Sequence, residues 1–145
     1  IHGQAAGLCG NAWAMKFMTF IKYIMSYSIR SVRDSLPTLK NESAEKLHAL
    51  VSYMVSKTTG ILKYLKSGDA AKQKEAREVL ETYAQVSVNL STDWANTIWF
   101  SIRKSLSLDD WMFLIKTMHS SLTDPALRTA IANSTKRAGE SFKPE

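Results

Sequence analysis

The chain is poor in the residues that build disulfide scaffolds, metal sites and turn-rich folds. Its 145 residues include a single cysteine, Cys9, so it can form neither an internal disulfide nor a zinc site built on several cysteines. Six glycines and three prolines are too few for a sandwich or barrel with many tight turns. No phosphate loop, nucleophile elbow or zinc-protease helix occurs, and the three histidines stand at no metal-ligand spacing. The sequence therefore predicts no metal, no cofactor and no catalytic residue, and we expect a protein that is not an enzyme.

Long uncharged apolar runs are also missing. No segment reaches the ~20 residues that a transmembrane helix needs, because Lys16 and Lys22 interrupt the most apolar stretch. The chain begins with Ile1 rather than Met, which we interpret as the start of a processed protein whose removed part was a signal peptide. We therefore expect a secreted protein.

The charge of the chain is unbalanced toward the basic side. Its formal net charge is +6 and its isoelectric point about 9.5, which favours an acidic partner such as anionic lipid or an acidic glycan or protein coat. Most basic residues occur singly or in pairs, and no zinc finger or RNA-binding signature is present. We expect no nucleic-acid partner.

Residues 12–33 contain no acidic side chain and many aromatic and aliphatic ones. On a helical wheel one narrow stripe is basic, and it carries Lys16, Lys22, Arg30 and Arg33. A broad apolar face surrounds it and includes Trp13, Phe17, Phe20 and Ile24. This pattern is typical of a helix that lies on anionic lipid. A central core helix of a bundle also fits it, and the two interpretations can hold together.

Four more helices are predicted after this first one. Residues 42–67 have a 4-3-4-3-4 apolar spacing, and Gly68 is expected to end that helix in a left-handed conformation. A third helix, capped by Asp69, could continue to Leu106, where it would be roughly 55 Å long at ~1.5 Å per residue. It either bends near 91–93 or makes the bundle elongated, and we favour elongation.

The last two helices have clear start signals. Ser107 precedes two acidic residues and the apolar positions of a short helix, and Asp124–Pro125 begins the final helix, which should end near Gly139. We predict one all-α domain over residues 1–145, an elongated up-and-down bundle of about five helices. Residues 1–10 would form a loose N-terminal arm and residues 140–145 a frayed tail.

One segment of the third predicted helix resembles a known family. Residues 93–104 read DWANTIWFSIRK, with Trp-Ala-Asn, then an aromatic pair and a basic pair. This run is similar to the Trp-Ala-Asn segment in the long helix of abalone sperm lysin, and it covers 12 of the 145 residues. Chain length, helical pattern, basic isoelectric point and the missing disulfide are also similar. The resemblance implies a lysin-like bundle.

Two features depart from lysin. That protein presents long exposed tracks of Arg and Lys and a basic tail, whereas here residues 72–81 carry as many acids as bases and the tail after Gly139 is short. The first predicted helix is in turn unusually apolar. The chain is therefore more similar to the fusagenic sperm paralogue of lysin, which is implicated in joining sperm and egg membranes.

The first functional hypothesis is that of a non-enzymatic protein of the sperm acrosomal vesicle that binds and destabilises membranes to promote sperm–egg fusion. Its partner would be the egg plasma membrane or anionic lipid. The basic residues expected to contact this partner are Lys16, Lys22, Arg30, Arg33, Arg103 and Lys104. The apolar ones are Trp13, Phe17, Phe20, Ile24, Trp99 and Phe100.

Two alternatives remain open from the sequence. One is lysin-like, non-enzymatic dissolution of the egg vitelline envelope through binding of an egg-coat glycoprotein. The other is an unrelated helical interaction domain whose first helix is buried or forms a homodimer.

Overall fold

The computed structural model describes residues 27–141, and every regular element in this range is helical. A 3-10 helix, Leu36–Asn41, lies between the first two α-helices. The six α-helices are α1 (Ile29–Ser35), α2 (Ala44–Lys66), α3 (Ala70–Asn89), α4 (Thr92–Ser105), α5 (Leu108–Ser121) and α6 (Pro125–Ser141). The all-α class is confirmed, with six helices in the described range rather than five in the chain. Residues 1–26 and 142–145 lie outside the described range. The predicted arm over residues 1–10 and residues 142–145 of the predicted tail are therefore not described.

Side-chain caps set where the helices begin. A serine or aspartate before each of α1 to α6 accepts a backbone N–H from the first turn, which satisfies a donor that has no partner within the helix. These caps are Ser28, Ser43, Asp69, Ser91, Ser107 and Asp124. The starts predicted at Asp69, Ser107 and Asp124 are confirmed.

The end of α2 differs in its mechanism from the prediction. The helix stops at Lys66, close to the expected position, but no glycine in the described range has a positive φ. Instead Ser67 adopts an extended conformation, with ψ 157°, and its hydroxyl donates to the carbonyl of Tyr64. A serine therefore ends the helix, and the left-handed role predicted for Gly68 is wrong.

The predicted helix over residues 12–33 does not continue through its C-terminal third. Ser28 is extended, with φ −138° and ψ 164°, and it exchanges hydrogen bonds with Ser31 in a capping box that begins a new helix, α1. Arg30 and Arg33 therefore do not lie on one continuous helical stripe with the lysines before them. The remaining members of that predicted site lie outside the described residues, namely Lys16, Lys22, Trp13, Phe17, Phe20 and Ile24.

The predicted long helix over residues 69–106 is two helices. α3 ends at Asn89, Leu90 and Ser91 are extended with ψ 166° and 158°, and α4 starts under the Ser91 cap. Leu90 is buried at the break, so the change of direction also covers an apolar side chain. The alternative of a bend near 91–93 is confirmed, whereas the favoured uninterrupted helix is wrong and the argument for elongation loses its basis.

The core is centred on α3, which packs against α2, α4 and α6, while α4 also packs against α2 and α6. Every position of the predicted α2 seam is buried, from Leu47 to Leu65. Thr58 is the polar member of this seam, and its hydroxyl donates to the carbonyl of Met54 across 2.7 Å. Each large aliphatic side chain buried here contributes about 1.5–3 kcal/mol to the free energy of unfolding.

Candidate functional site

Trp99 was expected to contact a membrane or partner, and the structure places it in the core. Its ring is fully buried, its indole N–H donates to the hydroxyl oxygen of Ser87 across 2.8 Å, and its plane meets that of Tyr83 at 62°. A tryptophan with a satisfied N–H and no exposed surface stabilises the fold. The surface role predicted for Trp99 is corrected.

Arg103 is also buried, with 4 % of its surface exposed. Its guanidinium carbon lies 5.9 Å from the centre of the Trp111 ring, and its Nη1 donates to the carbonyl of Leu106. Arg103 therefore joins the C-terminal end of α4 to α5 through a cation–π contact and a backbone carbonyl. It is not the surface cation that the sequence predicted.

Phe100 and Lys104 do remain at the surface. They are one helical turn apart on α4, the lysine is exposed, and its Nζ lies 5.3 Å from the centre of the half-buried phenylalanine ring. A lysine over an aromatic ring places a cation and an apolar group at the same point of the surface. This pair is the part of the predicted site on α4 that can contact a partner.

Arg30 and Arg33 have different surroundings although both are exposed. Arg33 holds α1 on α3, because its Nε donates to the hydroxyl of Thr82 across 2.8 Å and its Nη2 to the carbonyl of Glu78 across 3.2 Å. Arg30 lines the groove between α1, α2 and α3. Both arginines therefore lie on α1 beside this groove, whereas Phe100 and Lys104 lie on α4.

The Trp-Ala-Asn run occupies the first turns of α4 rather than the middle of a long helix. Trp94 is half-buried and its ring meets that of His48 edge-on, with 4.8 Å between the ring centres. Ala95 is buried, and the Oδ1 atom of Asn96 is buried without a hydrogen-bond partner. The position of this run departs from the lysin segment that it resembles.

The structure exposes an apolar surface that the sequence reasoning missed. Leu108, Met112 and Phe113 on α5 have 56 %, 61 % and 36 % of their surface exposed. We call these three residues the α5 surface. The signal was present in the sequence, because five consecutive apolar residues at 111–115 cannot all face the same core from one helix.

A lysine borders the α5 surface. The Nζ of Lys66 lies 5.4 Å from the centre of the Phe113 ring and 2.7 Å from Oδ1 of Asp110. The hydrogen bond from this ammonium group lowers the pKa of the Asp110 carboxyl group. The lysine is thus fixed between an acid and an aromatic ring at the edge of exposed apolar side chains.

Lysine–aromatic pairs recur elsewhere on the described surface. The Nζ of Lys72 lies 5.6 Å from the centre of the Tyr64 ring, in addition to the pairs Lys66–Phe113 and Lys104–Phe100. Such pairs suit a boundary between water and an apolar phase, since the aliphatic stem and ring can be buried while the ammonium group stays hydrated.

The described residues 27–141 contain no group of three His, Cys, Asp or Glu side chains that could hold a metal ion. None of the helices in this range is both long and apolar enough to cross a bilayer. The chain matches no protein-family model, no curated protein and no solved structure. The resemblance to lysin therefore rests on residues 93–104 and on the general features of the sequence.

Proposed function

We propose that this protein acts without catalysis, by binding and destabilising membranes. By its resemblance to the fusagenic sperm protein it would be secreted from the sperm acrosomal vesicle and act on the egg plasma membrane. The observation that supports membrane binding most directly is the α5 surface, where Leu108 and Met112 are the most exposed large apolar residues of the described chain and Lys66 stands beside Phe113.

The physical basis is the sum of an electrostatic and an apolar contribution. Each lysine near an anionic bilayer contributes on the order of 1 kcal/mol of binding free energy. Apolar side chains that enter the interface add about 25 cal/mol for each Å² removed from water. The exposed leucine, methionine and phenylalanine side chains of α5 can therefore help to hold a protein of net charge +6 at an anionic surface.

The experiment is leakage and lipid mixing of anionic vesicles with purified protein and with the double variant Met112→Glu/Phe113→Glu. Both residues are exposed, so the fold is expected to persist while leakage falls at least tenfold. Val88→Glu is the matched control, because Val88 is an exposed apolar residue of α3. Full activity of the double variant would contradict a role for the α5 surface.

The apolar segment before Ser28 needs its own variant. Phe17→Glu/Phe20→Glu changes residues outside the described range that the sequence places on an apolar face. If that variant abolishes leakage while Met112→Glu/Phe113→Glu does not, the membrane-binding segment is the N-terminal one. If each variant lowers leakage in part, the two segments act together.

The second candidate function is dissolution of the egg vitelline envelope by binding a coat glycoprotein, as in lysin. The exposed α5 surface favours it as well, because apolar side chains beside a cation can compete for contacts within an acidic coat. Stoichiometric dissolution of isolated envelopes, without vesicle leakage, would establish this function instead. A homodimer that covers the α5 surface would appear in sedimentation equilibrium and would disappear in Met112→Glu/Phe113→Glu.

A further inference from the structure

Helices α1, α2 and α3 line an open groove with a volume of about 410 Å³. Its volume falls in the range of about 300–1,000 Å³ that is usual for small-molecule sites. The apolar part of its lining includes Ile29, Ile61 and Val79, of which the last two are buried. Gly60 also lines it, and a Cβ atom at this position would meet no atom within 4 Å. Among the described residues, the groove is therefore open space over these apolar side chains, which form its apolar floor.

Charged groups of both signs line the same groove. Arg30 and Lys57 belong to α1 and α2, whereas Glu75 and Glu78 belong to α3. Arg33 also lines the groove and is held against α3 by its hydrogen bonds to Thr82 and to the carbonyl of Glu78.

Within the described residues no ion pair joins these opposite charges. The ion pairs found within the described residues join Lys46 to Glu42 and Lys66 to Asp110, and both are elsewhere. The groove is thus lined by three cations and two carboxylates as well as by apolar side chains.

This arrangement restricts the chemistry of a ligand. A purely apolar ligand would remove water from several charges without offering them a partner, which costs free energy. An anion would be attracted by the cations of α1 and α2 but repelled by the carboxylates of Glu75 and Glu78. A simple cation would be attracted by the two carboxylates but repelled by the basic residues. A ligand that carries both signs and an apolar part matches all three features.

We propose that this groove binds one molecule of a zwitterionic phospholipid. Its phosphate would lie toward Arg30 and Lys57, its ammonium group toward Glu75 and Glu78, and its first acyl methylenes over the apolar floor. This inference goes beyond adsorption through the α5 surface, because it assigns a defined headgroup to a site on other helices.

The test measures binding of dihexanoyl phosphatidylcholine, below its micelle concentration, to the full chain by NMR chemical-shift titration. Dihexanoyl phosphatidylglycerol keeps the phosphate and the acyl chains but lacks the ammonium group, and free phosphocholine lacks the acyl chains. We expect the phosphatidylcholine to bind at least roughly fivefold more tightly than either, the effect of one additional favourable contact. Equal or tighter binding of the phosphatidylglycerol or of free phosphocholine, or no binding, overturns the proposal.

Gly60→Leu blocks the groove without removing a contact of the fold, because it fills open space and replaces a glycine inside a helix. We expect it to abolish binding of dihexanoyl phosphatidylcholine. The matched control is Thr59→Leu, which adds a leucine at the neighbouring exposed position and should bind like the wild type. Unchanged binding by Gly60→Leu overturns the assignment of the site.

Glu75→Gln/Glu78→Gln tests the zwitterionic preference. We expect this variant to lose the roughly fivefold preference for phosphatidylcholine over phosphatidylglycerol, and a retained preference contradicts the role of the carboxylates. The two proposals can fail separately. Gly60→Leu should keep vesicle leakage, and Met112→Glu/Phe113→Glu should keep binding of the short-chain lipid.

Discussion

The indole N–H of Trp99 donates to the hydroxyl oxygen of Ser87 across 2.8 Å in the core between α4 and α3. The serine hydroxyl in turn donates to the carbonyl of Tyr83 across 3.0 Å. One small side chain thus satisfies the polar atom of the largest buried residue. This contact also fixes how α4 lies on α3 after the break at Leu90–Ser91.

The first prediction concerns this hydrogen bond. Ser87→Ala leaves the indole N–H buried without an acceptor, so we expect the free energy of unfolding to fall by about 1–3 kcal/mol. Urea denaturation measures the change. Ser56→Ala is the control, because Ser56 is an exposed serine of α2, and it should change stability by less than about 0.5 kcal/mol. Equal effects of the two variants would contradict the importance of the Trp99 contact.

The second prediction concerns alkaline pH. Tyr83 is buried with its hydroxyl donating to the carbonyl of Met54 across 2.6 Å, and desolvation by burial raises its pKa. The unfolded chain releases this proton near pH 10, whereas the folded chain retains it. The stabilising contribution is therefore complete below about pH 10 and is lost as the pH rises toward the folded-state pKa.

Tyr83→Phe should reduce this loss of stability by up to about 1.4 kcal/mol per pH unit above pH 10. It should not abolish it, since burial also raises the pKa of Tyr53. Urea denaturation at pH 8 and pH 11 gives the slope. Leu50→Ala is a control that lowers stability without removing a titrating group, and an identical slope in Tyr83→Phe and Leu50→Ala would disprove the assignment.

The third prediction concerns the start of α3. The side chain of Asp69 accepts hydrogen bonds from the backbone N–H groups of Ala71 and Lys72. Asp69→Ala removes this cap and should lower the free energy of unfolding by about 0.5–2 kcal/mol, whereas Asp69→Asn should recover most of it. Thermal denaturation of both variants measures the effect. Comparable losses in the two variants would show that the cap is not the cause.

The fourth prediction concerns the border of the α5 surface. Because the Lys66 ammonium group lowers the pKa of Asp110, Lys66→Gln should raise that pKa toward the ordinary value of an aspartate. An NMR titration of the carboxyl carbon follows it directly. Lys63→Gln removes a charge of the same helix that makes no ion pair with Asp110 and is the control. A larger shift in the control than in Lys66→Gln would contradict the pairing.

Much of the local structure could be predicted from the sequence. The 4-3-4-3-4 spacing over α2 predicts its buried seam, because residues at these positions share one face of a helix. The start signals at Asp69, Ser107 and Asp124 predict helix boundaries, since a short polar side chain there satisfies a backbone donor. Both signals depend on neighbours within a few residues.

The candidate site was harder to predict. Trp99 and Arg103 have the composition of a membrane-contacting surface, yet both are buried because Ser87 and Trp111 on other helices supply their partners. The five consecutive apolar residues at 111–115 indicate that some of them face outward, but not which ones, and the exposure of Met112 and Phe113 is known only from the packed structure. Burial of a given side chain depends on which elements lie beside it.

The sequence by itself determined the helical class, the buried seam of α2, most of the helix starts and the excess of positive charge. These follow from periodicity, capping and composition, which act over a few residues or are sums over the chain. Only the tertiary structure decided that the predicted long helix breaks at Leu90–Ser91, that Trp99 is core and that α5 turns three apolar side chains outward. It also decided that charges of both signs line one groove. Such arrangements join residues that are far apart in the chain, so they form only when the helices pack together.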